Sequence, residues 1–430
     1  MARDTHLWHP FSDMATVQGN EFVLARGDGI WIYDEDGNRY IDGSASLWYC
    51  NVGHGRKEIA DAVGRQMAEL EAFSIFGDTA TPPALELADV LSARAPMDDA
   101  KVFFTTGGGD AIDTAAKLAR LYWEVLGQDE RIHIISRTNA YHGTMAFGTS
   151  IGGIDANRVG FGPLVPSTST VPHDSADALA DEIDKVGADR VAAFFIEPVI
   201  GAGGVYPPAP GYVEAVAEIC REKDVLLVVD AVIVGFGRLG SWFGCERFGV
   251  RPDLITFAKG VTSGYLPLGG VLASGRVAEP FWSEPGHVLR HGQTYAGHAA
   301  VCASALANIE ILERDNLIPR GQELEHDLFD AVKPLEDHAL VGEVRGGVGL
   351  MAAVELAPEL LEQDGGLTGK AAKAIRRHGV ILRALARSLA ISPPLTITPE
   401  ELGLIADAIR AGLDDLAEVV EGVPARSAAG

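Results

Sequence analysis

The sequence predicts an α/β protein built around a mostly parallel sheet. Short apolar runs at residues 191–196, 225–230 and 254–259 are typical of strands buried on both faces, although apolar content alone also fits a buried helix. From about residue 100, strand, loop and helix patterns alternate, as in repeated β-α units. The 430 residues, 47% of them hydrophobic, suit one large globular domain with a smaller companion.

Composition argues against several kinds of partner. The formal net charge of −25 disfavours nucleic acid and anionic membranes. The amino-terminal sequence lacks the pattern of a signal peptide, and no apolar run reaches membrane-spanning length. The four cysteines show no CxxC spacing, so neither zinc nor a disulfide framework is indicated. We expect a cytoplasmic protein without a metal site.

The first 100 residues predict an arm, a β-hairpin and two helices, at 1–20, 29–42, 56–71 and 82–95 respectively. Residues 8–11 of the arm form an aromatic cluster, WHPF. Residues 44–55 are rich in small and aromatic side chains and are expected to line a site. Thr81 and Pro82 are suited to the N-cap and first turn of the second helix.

Three glycines follow the next strand, residues 101–104, and precede a helix over 110–126. At a helix start, Gly107, Gly108 and Gly109 free backbone N–H groups to face an anion, and the helix dipole adds to the attraction. The loop is not a P-loop, because GxxxxGK[ST] is absent. A flexible turn without a ligand would also explain these glycines.

Four further strand ends carry side chains that could take part in binding or catalysis. Tyr141 follows the strand at 132–136, Glu197 follows the next strand, and Asp230 and Lys259 end two more. In an open α/β sheet, ligands bind beyond the carboxyl ends of the strands. The sequence therefore predicts that an anion site, an aromatic ring, two acids and a lysine converge at one edge.

Asp230 and Lys259 together suit pyridoxal 5′-phosphate. A lysine amine can form a Schiff base with its aldehyde, and a carboxylate can pair with the protonated ring nitrogen. At about 3 Å and an effective dielectric of about 20, that pair contributes roughly 5 kcal/mol before desolvation. This corresponds to about four pKa units for the ring nitrogen. A salt bridge that only joins two strand ends is the alternative.

A GxGxxG pattern at 235–240, with Asp253 beyond it, imitates a dinucleotide-binding loop. That fingerprint requires the glycines to turn directly from strand into helix. Here the pattern does not follow the strand directly, and residues 241–252 have no helical period. We therefore reject a nicotinamide cofactor.

The chain after residue 300 predicts a smaller α+β unit. Its elements are a helix at about 298–314, strands near 349–355 and 380–383, and a last helix whose inward residues are Leu402, Ile405, Ile409 and Leu413. The last helix opens with a capping box from Thr398 to Glu401. The tail after Val423 is expected to be loose.

Seven motifs, in order over nearly the whole chain, resemble the class III (omega) aminotransferases among the fold type I pyridoxal-phosphate enzymes, most closely the amine:pyruvate and β-alanine:pyruvate subgroup. They are LWYCNVGHGRKEI (47–59), FFTTGGGDAIDTAAKLAR (103–120), YHG (141–143), EPVIGAGGV (197–205), DAVIVGFGRLG (230–240), FAKGVTSGYLPLG (257–269) and HGQTYAGH (291–298). The resemblance implies a large domain with a mostly parallel seven-stranded sheet and a smaller α+β domain built from both termini. The implied division is an N-terminal arm and joining segment (1–59), a large cofactor-binding domain (60–300) and a small domain (301–430).

The resemblance implies a role for each residue around the cofactor ring. Lys259 would form the Schiff base and then move the proton between Cα and C4′, while Asp230 would hold the pyridinium nitrogen. Tyr141 would stack on one face of the ring, and Val232 would pack on the other. Glu197 matches an acid that lies behind these residues.

Other implied roles concern the phosphate, the substrate and the partner. Gly107, Gly108 and Gly109 would bind the phosphate, and the partner subunit's Thr294 would complete that site. Trp48 matches an aromatic residue that shapes the substrate pocket. The resemblance thus implies a homodimer with shared active sites, or a tetramer made of two such dimers.

Arg383 is the position that bears most on the substrate. In the subgroup, an arginine ten residues before a Pro-Pro pair binds a substrate carboxylate and swings out for an uncharged amine, and Arg383 has that spacing from Pro393. The γ-aminobutyrate and ornithine branches place a fixed arginine where this chain has Ala390 and Ile391. A solvated arginine beside Arg387 is the alternative.

Two departures from the family predict weak cofactor retention. Ala231 replaces the glutamate that usually follows the pyridinium aspartate, and Gly107 and Gly109 replace serines. Each lost neutral hydrogen bond costs on the order of 1 kcal/mol.

We expect a ping-pong aminotransferase that moves an amino group from a primary amine or ω-amino acid to pyruvate or a similar keto acid. One alternative is another pyridoxal-phosphate reaction on the same fold: the diamine-forming step of biotin synthesis, an aminomutase or a decarboxylase. A second alternative is a catalytically idle binding or regulatory homologue. The sequence leaves the preferred amine and its stereochemistry open.

Overall fold

The amino-terminal part of the chain forms an antiparallel meander and four helices in the computed structural model, which describes residues 5–420. These elements are β1 (Leu24–Asp28), β2 (Trp31–Asp34), β3 (Arg39–Asp42), α1 (Met14–Val17), α2 (Ala45–Trp48), α3 (Lys57–Leu70) and α4 (Pro82–Ser92). The predicted hairpin is β2–β3. Thr81 stands at the N-cap of α4 as predicted, but its buried hydroxyl has no partner among the described residues.

Seven strands form the central sheet, in the order β4-β10-β9-β8-β7-β5-β6. They are β4 (Lys101–Thr105), β5 (His133–Arg137), β6 (Thr168–Val171), β7 (Val191–Ile196), β8 (Leu226–Asp230), β9 (Leu254–Phe257) and β10 (Gly269–Ala273). Only β10 runs against its neighbours. The helices between them are α5 (Gly108–Val125), α6 (Ala146–Ile151), α7 (Ala176–Val186), α8 (Tyr212–Glu222) and α9 (Gly275–Trp282).

Helices cover both faces of this sheet, which explains why its strands are apolar throughout. Phe194 and Phe195 are adjacent in β7 and both fully buried, yet they belong to two different core clusters. Successive side chains of a strand point to opposite faces, so each cluster marks one covered face. The predicted α/β class with a mostly parallel seven-stranded sheet is therefore confirmed.

The carboxyl-terminal part supplies a second α+β layer. Its elements are α10 (Ala299–Arg314), α11 (Arg320–Glu323), α12 (Glu325–Val332), β11 (Val341–Arg345), β12 (Ala352–Leu356), α13 (Pro358–Gln363), α14 (Leu367–Arg377), β13 (Val380–Ile381), β14 (Arg383–Ala384), β15 (Ser388–Ile391) and α15 (Pro399–Ala417). Strands β11, β12, β15 and β14 form one sheet, while β13 pairs in parallel with β3. Both ends of the chain thus build this smaller part, as expected.

The last helix begins as the sequence predicts. The Thr398 hydroxyl accepts from the N–H of Glu401, and the Glu401 carboxylate accepts from the N–H of Thr398, which completes the capping box. The four predicted inward residues of α15 are all buried. The tail after Val423 lies outside the described residues. Among residues 5–420, no helix is both long and apolar enough to cross a membrane.

The GxGxxG pattern does not lead into a helix. Residues 232–244 form a series of turns and bends, followed by a short 3₁₀ turn at Cys245–Phe248. Arg238 within the pattern is fully buried and donates to the carbonyls of Leu350 and Pro393. This segment therefore joins the two parts of the fold, which agrees with the rejection of a dinucleotide site.

Candidate active site

One cavity of about 790 Å³ lies beyond the carboxyl ends of β4, β5, β7, β8 and β9. Its lining includes all but one of the predicted site residues: Trp48, Gly107, Gly108, Gly109, Tyr141, Glu197, Asp230, Val232, Lys259 and Arg383. Thr294 is exposed and does not line it. The predicted convergence of five strand ends at one edge is therefore observed.

Asp230, the last residue of β8, is buried and held by three donors. His142 Nδ1 lies 2.8 Å from Oδ2, while the Thr256 hydroxyl and the Val232 N–H donate to Oδ1 at 3.2 and 3.1 Å. These contacts fix the position of the carboxylate at the end of β8. Sequence reasoning quoted the YHG motif but missed His142, which is fully buried beside its acid.

Lys259 follows β9 and has an unusual backbone. Its φ of 49° lies in the left-handed region, which is rare for a non-glycine residue and is often found at functional sites. Nζ lies 5.5 Å from the centroid of the Trp48 ring. Burial lowers the pKa of the amine to about 8, and the charges of Asp230 and Glu197 only partly oppose this. A neutral amine, the nucleophilic form, is therefore available near pH 8.

Glu197 ties two loops together behind the cavity. Its Oε1 accepts from the N–H of Tyr141 at 2.9 Å, and its Oε2 accepts from the N–H of Gly201 at 3.0 Å. Burial, with a smaller contribution from Asp230, raises the pKa of this carboxyl. Glu197 therefore positions Tyr141 at the cavity wall.

Within the glycine loop, Gly108 and Gly109 pack closely against their neighbours, whereas Gly107 lies in open space. A Cβ on Gly108 would lie 2.8 Å from Val232 Cγ1, and a Cβ on Gly143, whose φ is +90°, would lie 2.9 Å from the Gly109 Cα. Helix α5 begins at Gly108, and the first N–H groups of a helix lack intrahelical acceptors. The loop therefore presents backbone donors, rather than side chains, to an anion.

These groups fit pyridoxal 5′-phosphate. The cavity has an amine for the aldehyde, a fixed carboxylate for the ring nitrogen and a glycine cradle at a helix N-terminus for the phosphate. Tyr141 and Val232 line the same cavity and are available to contact the ring.

One wall of the cavity comes from the amino-terminal part of the chain. Trp48 is buried, and its φ of 60° is left-handed, as are the φ values of Ala45 and Ser46 in the same short segment. Phe11 of the arm also lines the cavity, although the sequence indicated only an aromatic cluster there. Contact between the arm and the cavity depends on the path of the chain, which no local pattern specifies.

The opposite part of the lining contains two arginines in different states. Arg387 is engaged, because its Nε donates to Glu355 at 2.8 Å. Arg383 is exposed, and its guanidinium makes no hydrogen bond or ion pair with the described residues. Of the two, Arg383 is the one available to a ligand.

Comparisons with known proteins agree with this site. Residues 14–413 match the family model for aminotransferase class-III. A putrescine–pyruvate aminotransferase from Pseudomonas aeruginosa is 37% identical over 443 residues, covering 98% of this chain and 96% of the relative.

Two solved structures share the fold closely. An (S)-enantioselective omega-transaminase from Thermomicrobium roseum is 39% identical, with a TM-score of 0.91 and 96% of each chain covered. An amine transaminase from an uncultivated Pseudomonas species, in its PLP-bound form, is 35% identical, with a TM-score of 0.91 over 96% of this chain and 100% of that one. The chain therefore belongs to the class-III aminotransferases, whose cofactor is pyridoxal 5′-phosphate.

Proposed function

We propose that this enzyme transfers an amino group from a primary amine or ω-amino acid to pyruvate or a similar keto acid by a ping-pong mechanism. The observation that carries the proposal is that Arg383 is unpaired among the described residues and lines the same cavity as Lys259. A keto acid needs a cation for its carboxylate, and a guanidinium can bind a carboxylate through two hydrogen bonds. The similarity to a putrescine–pyruvate aminotransferase supports the same reading.

When bound, pyridoxal 5′-phosphate supplies an aldehyde that takes up the amino group and an electron-withdrawing ring. The Lys259 amine, whose pKa burial lowers to about 8, would in its neutral form accept the proton from the substrate Cα and return it to the cofactor. Asp230, held in place by His142, would pair with the ring nitrogen of the bound cofactor. Tyr141 and Trp48 form walls that limit the access of water to these groups.

Arg383 has to serve two substrates in turn. During the second half-reaction its guanidinium binds the keto acid carboxylate, while during the first it turns toward solvent for an uncharged amine. Its exposure and its lack of a partner among residues 5–420 leave it free for such a change. Arg387, paired with Glu355, is not free in the same way.

We further propose a cytoplasmic homodimer with shared active sites, or a tetramer made of two such dimers. Several large apolar side chains are exposed on one chain, among them Phe73, Phe76, Val288 and Tyr295, and exposed apolar patches mark interfaces. The partner subunit's Thr294 would then complete the phosphate site, since Thr294 is exposed and does not line the cavity of its own chain. Sedimentation should give at least twice the chain mass of 45.5 kDa, and a monomer that transaminates at full rate would contradict the proposal.

The reaction is tested by absorbance and product analysis. The cofactor-loaded enzyme should bleach near the visible edge when a primary amine is added, and pyruvate should restore the band and yield alanine. Bleaching without recovery would favour a mutase or decarboxylase on the same fold. A protein that binds the cofactor but never bleaches would indicate the idle homologue.

A further inference from the structure

Asp155 lines the same cavity as Lys259 and Arg383. Asp155 opens a short 3₁₀ turn, Asp155–Asn157, and its backbone carbonyl accepts from the N–H of Arg158 at 3.0 Å. Its side chain is exposed and makes no hydrogen bond or ion pair with residues 5–420. The carboxylate is therefore held near the cavity by its backbone but is free to bind a ligand.

The other acids of the cavity are already engaged. Asp230 and Glu197 accept the hydrogen bonds described above, and Asp110 accepts from the hydroxyl of Thr106. Asp155 is therefore the one unengaged carboxylate of the described lining. Besides Lys259, which is assigned to the cofactor, Arg383 is the one unpaired cation of the described lining, so Asp155 and Arg383 offer a substrate one free charge of each sign.

We propose that Asp155 binds the distal ammonium of a donor that carries two amino groups, so that α,ω-diamines are the preferred amine donors. This inference rests on the proposed function. A ping-pong enzyme that uses a diamine and a keto acid must admit a cation and then an anion through the same cavity. Asp155 suits the first and Arg383 the second, and the amides of Asn139 and Asn157 in the same lining can also accept from an ammonium group.

The test compares donors that differ only at the distal end. With pyruvate as acceptor, kcat/KM is measured for 1,4-diaminobutane, for 1-aminopentane and for 5-aminopentanoate, in the wild type and in Asp155→Asn. An exposed ion pair is worth up to about 1 kcal/mol, so the variant should lose about fivefold with the diamine. It should be unchanged with the monoamine, and it should gain with the amino acid because a like charge has been removed.

Ionic strength provides an independent measurement. Added salt should reduce the wild-type preference for the diamine over the monoamine, because salt screens exposed charges, and it should leave the ratio for Asp155→Asn nearly constant. Asp181→Asn is the matched control, since Asp181 is an exposed acid on α7 that does not line the cavity. Its donor ratios should equal those of the wild type.

The possible outcomes distinguish a failure of the inference about Asp155 from a failure of the proposed function. An unchanged diamine-to-monoamine ratio in Asp155→Asn, or a wild type that prefers the monoamine, overturns the inference while the proposed function stands. A wild type that transfers no amino group to pyruvate from any of the three donors overturns the proposed function itself.

Discussion

Lys259, the proposed nucleophile, has a buried environment that disfavours the charged form of its amine. Burial lowers its pKa from 10.5 to about 8. Below pH 8 the amine is protonated in both the folded and the unfolded chain. Between about pH 8 and pH 10.5 the unfolded chain binds a proton that the folded chain has released, so stability increases with pH in that window.

We therefore predict a pH-dependent stability difference in the cofactor-free protein. Relative to Lys259→Met, the wild type should gain on the order of 2–3 kcal/mol in free energy of unfolding as pH rises through that window. Urea denaturation of both proteins at several pH values measures this, and the variant removes contributions from other titrating groups. If the difference in free energy of unfolding between the two proteins did not change with pH, the pKa of Lys259 would not be lowered in the folded chain.

The glycine loop allows a sharper test of cofactor retention. Gly107 has an extended φ of −178°, and nothing lies within 4 Å of a Cβ placed there, so Gly107→Ser can add a hydroxyl without strain. We expect the cofactor to bind about fivefold more tightly, which corresponds to one hydrogen bond of about 1 kcal/mol. Gly108→Ser is the matched control and should weaken binding, because its Cβ would meet Val232 at 2.8 Å. Titration of the apoprotein by absorbance measures both.

Arg383 and Arg387 form a natural pair for kinetic comparison. Arg383→Ala should raise the KM for pyruvate by about tenfold or more, because a charge-assisted contact is worth about 1.5–3 kcal/mol. Arg387→Ala should change it far less, since Arg387 is already paired with Glu355. Steady-state kinetics with a fixed amine donor measure both variants, and equal effects would show that the assignment to Arg383 is wrong.

At the residue scale, the sequence predicted groups that directly follow strands better than groups that act through another residue. Asp230 and Lys259 were found because each ends an apolar run. His142 was missed because its acid lies 88 residues away in sequence, so no local pattern joins them. Thr256 was missed for the same reason, since its acceptor, Asp230, lies 26 residues before it in the sequence.

At the element scale, strands with apolar runs were predicted and strands with small residues were not. β7 occupies the predicted residues, whereas β10 begins with two glycines and shows no strand pattern. Those glycines are needed there, since a Cβ on Gly270 would lie 2.4 Å from the Phe257 ring and one on Gly269 would lie 2.4 Å from the Gly107 carbonyl oxygen. Glycine has a low strand propensity, but only glycine fits at these two positions, so β10 has no recognisable strand pattern in the sequence.

The capping box of α15 gives the prediction that belongs to this scale. Thr398→Ala removes the side-chain acceptor for the N–H of Glu401 and should lower the free energy of unfolding by about 1 kcal/mol. Thr398→Ser keeps the hydroxyl and should lie close to the wild type. Urea denaturation of the holoenzyme measures both, and equal losses would mean that the threonine acts through its methyl group instead.

At the scale of the whole molecule, the site depends on parts of the chain that are far apart in sequence. Trp48 comes from the amino-terminal segment, Lys259 follows the central sheet, and Arg383 begins β14. Arg345 at the end of β11 links the smaller part to the loop after β7, because its guanidinium donates to the carbonyl of Gly204 at 2.8 Å. The architecture could be predicted from repeated patterns, while the domain limits at 59/60 and 300/301 stay a prediction.

The parallel pairing of β3 with β13 has a consequence for how the protein is made. β3 leaves the ribosome early, but the strand beside it is translated only near the end of the chain. Until then β3, which precedes the segment that carries Trp48, lacks its parallel neighbour. Arg383, which we propose binds the keto acid, has not been synthesised either. A nascent chain thus cannot assemble a complete catalytic centre, and premature termination leaves no partly working transaminase behind.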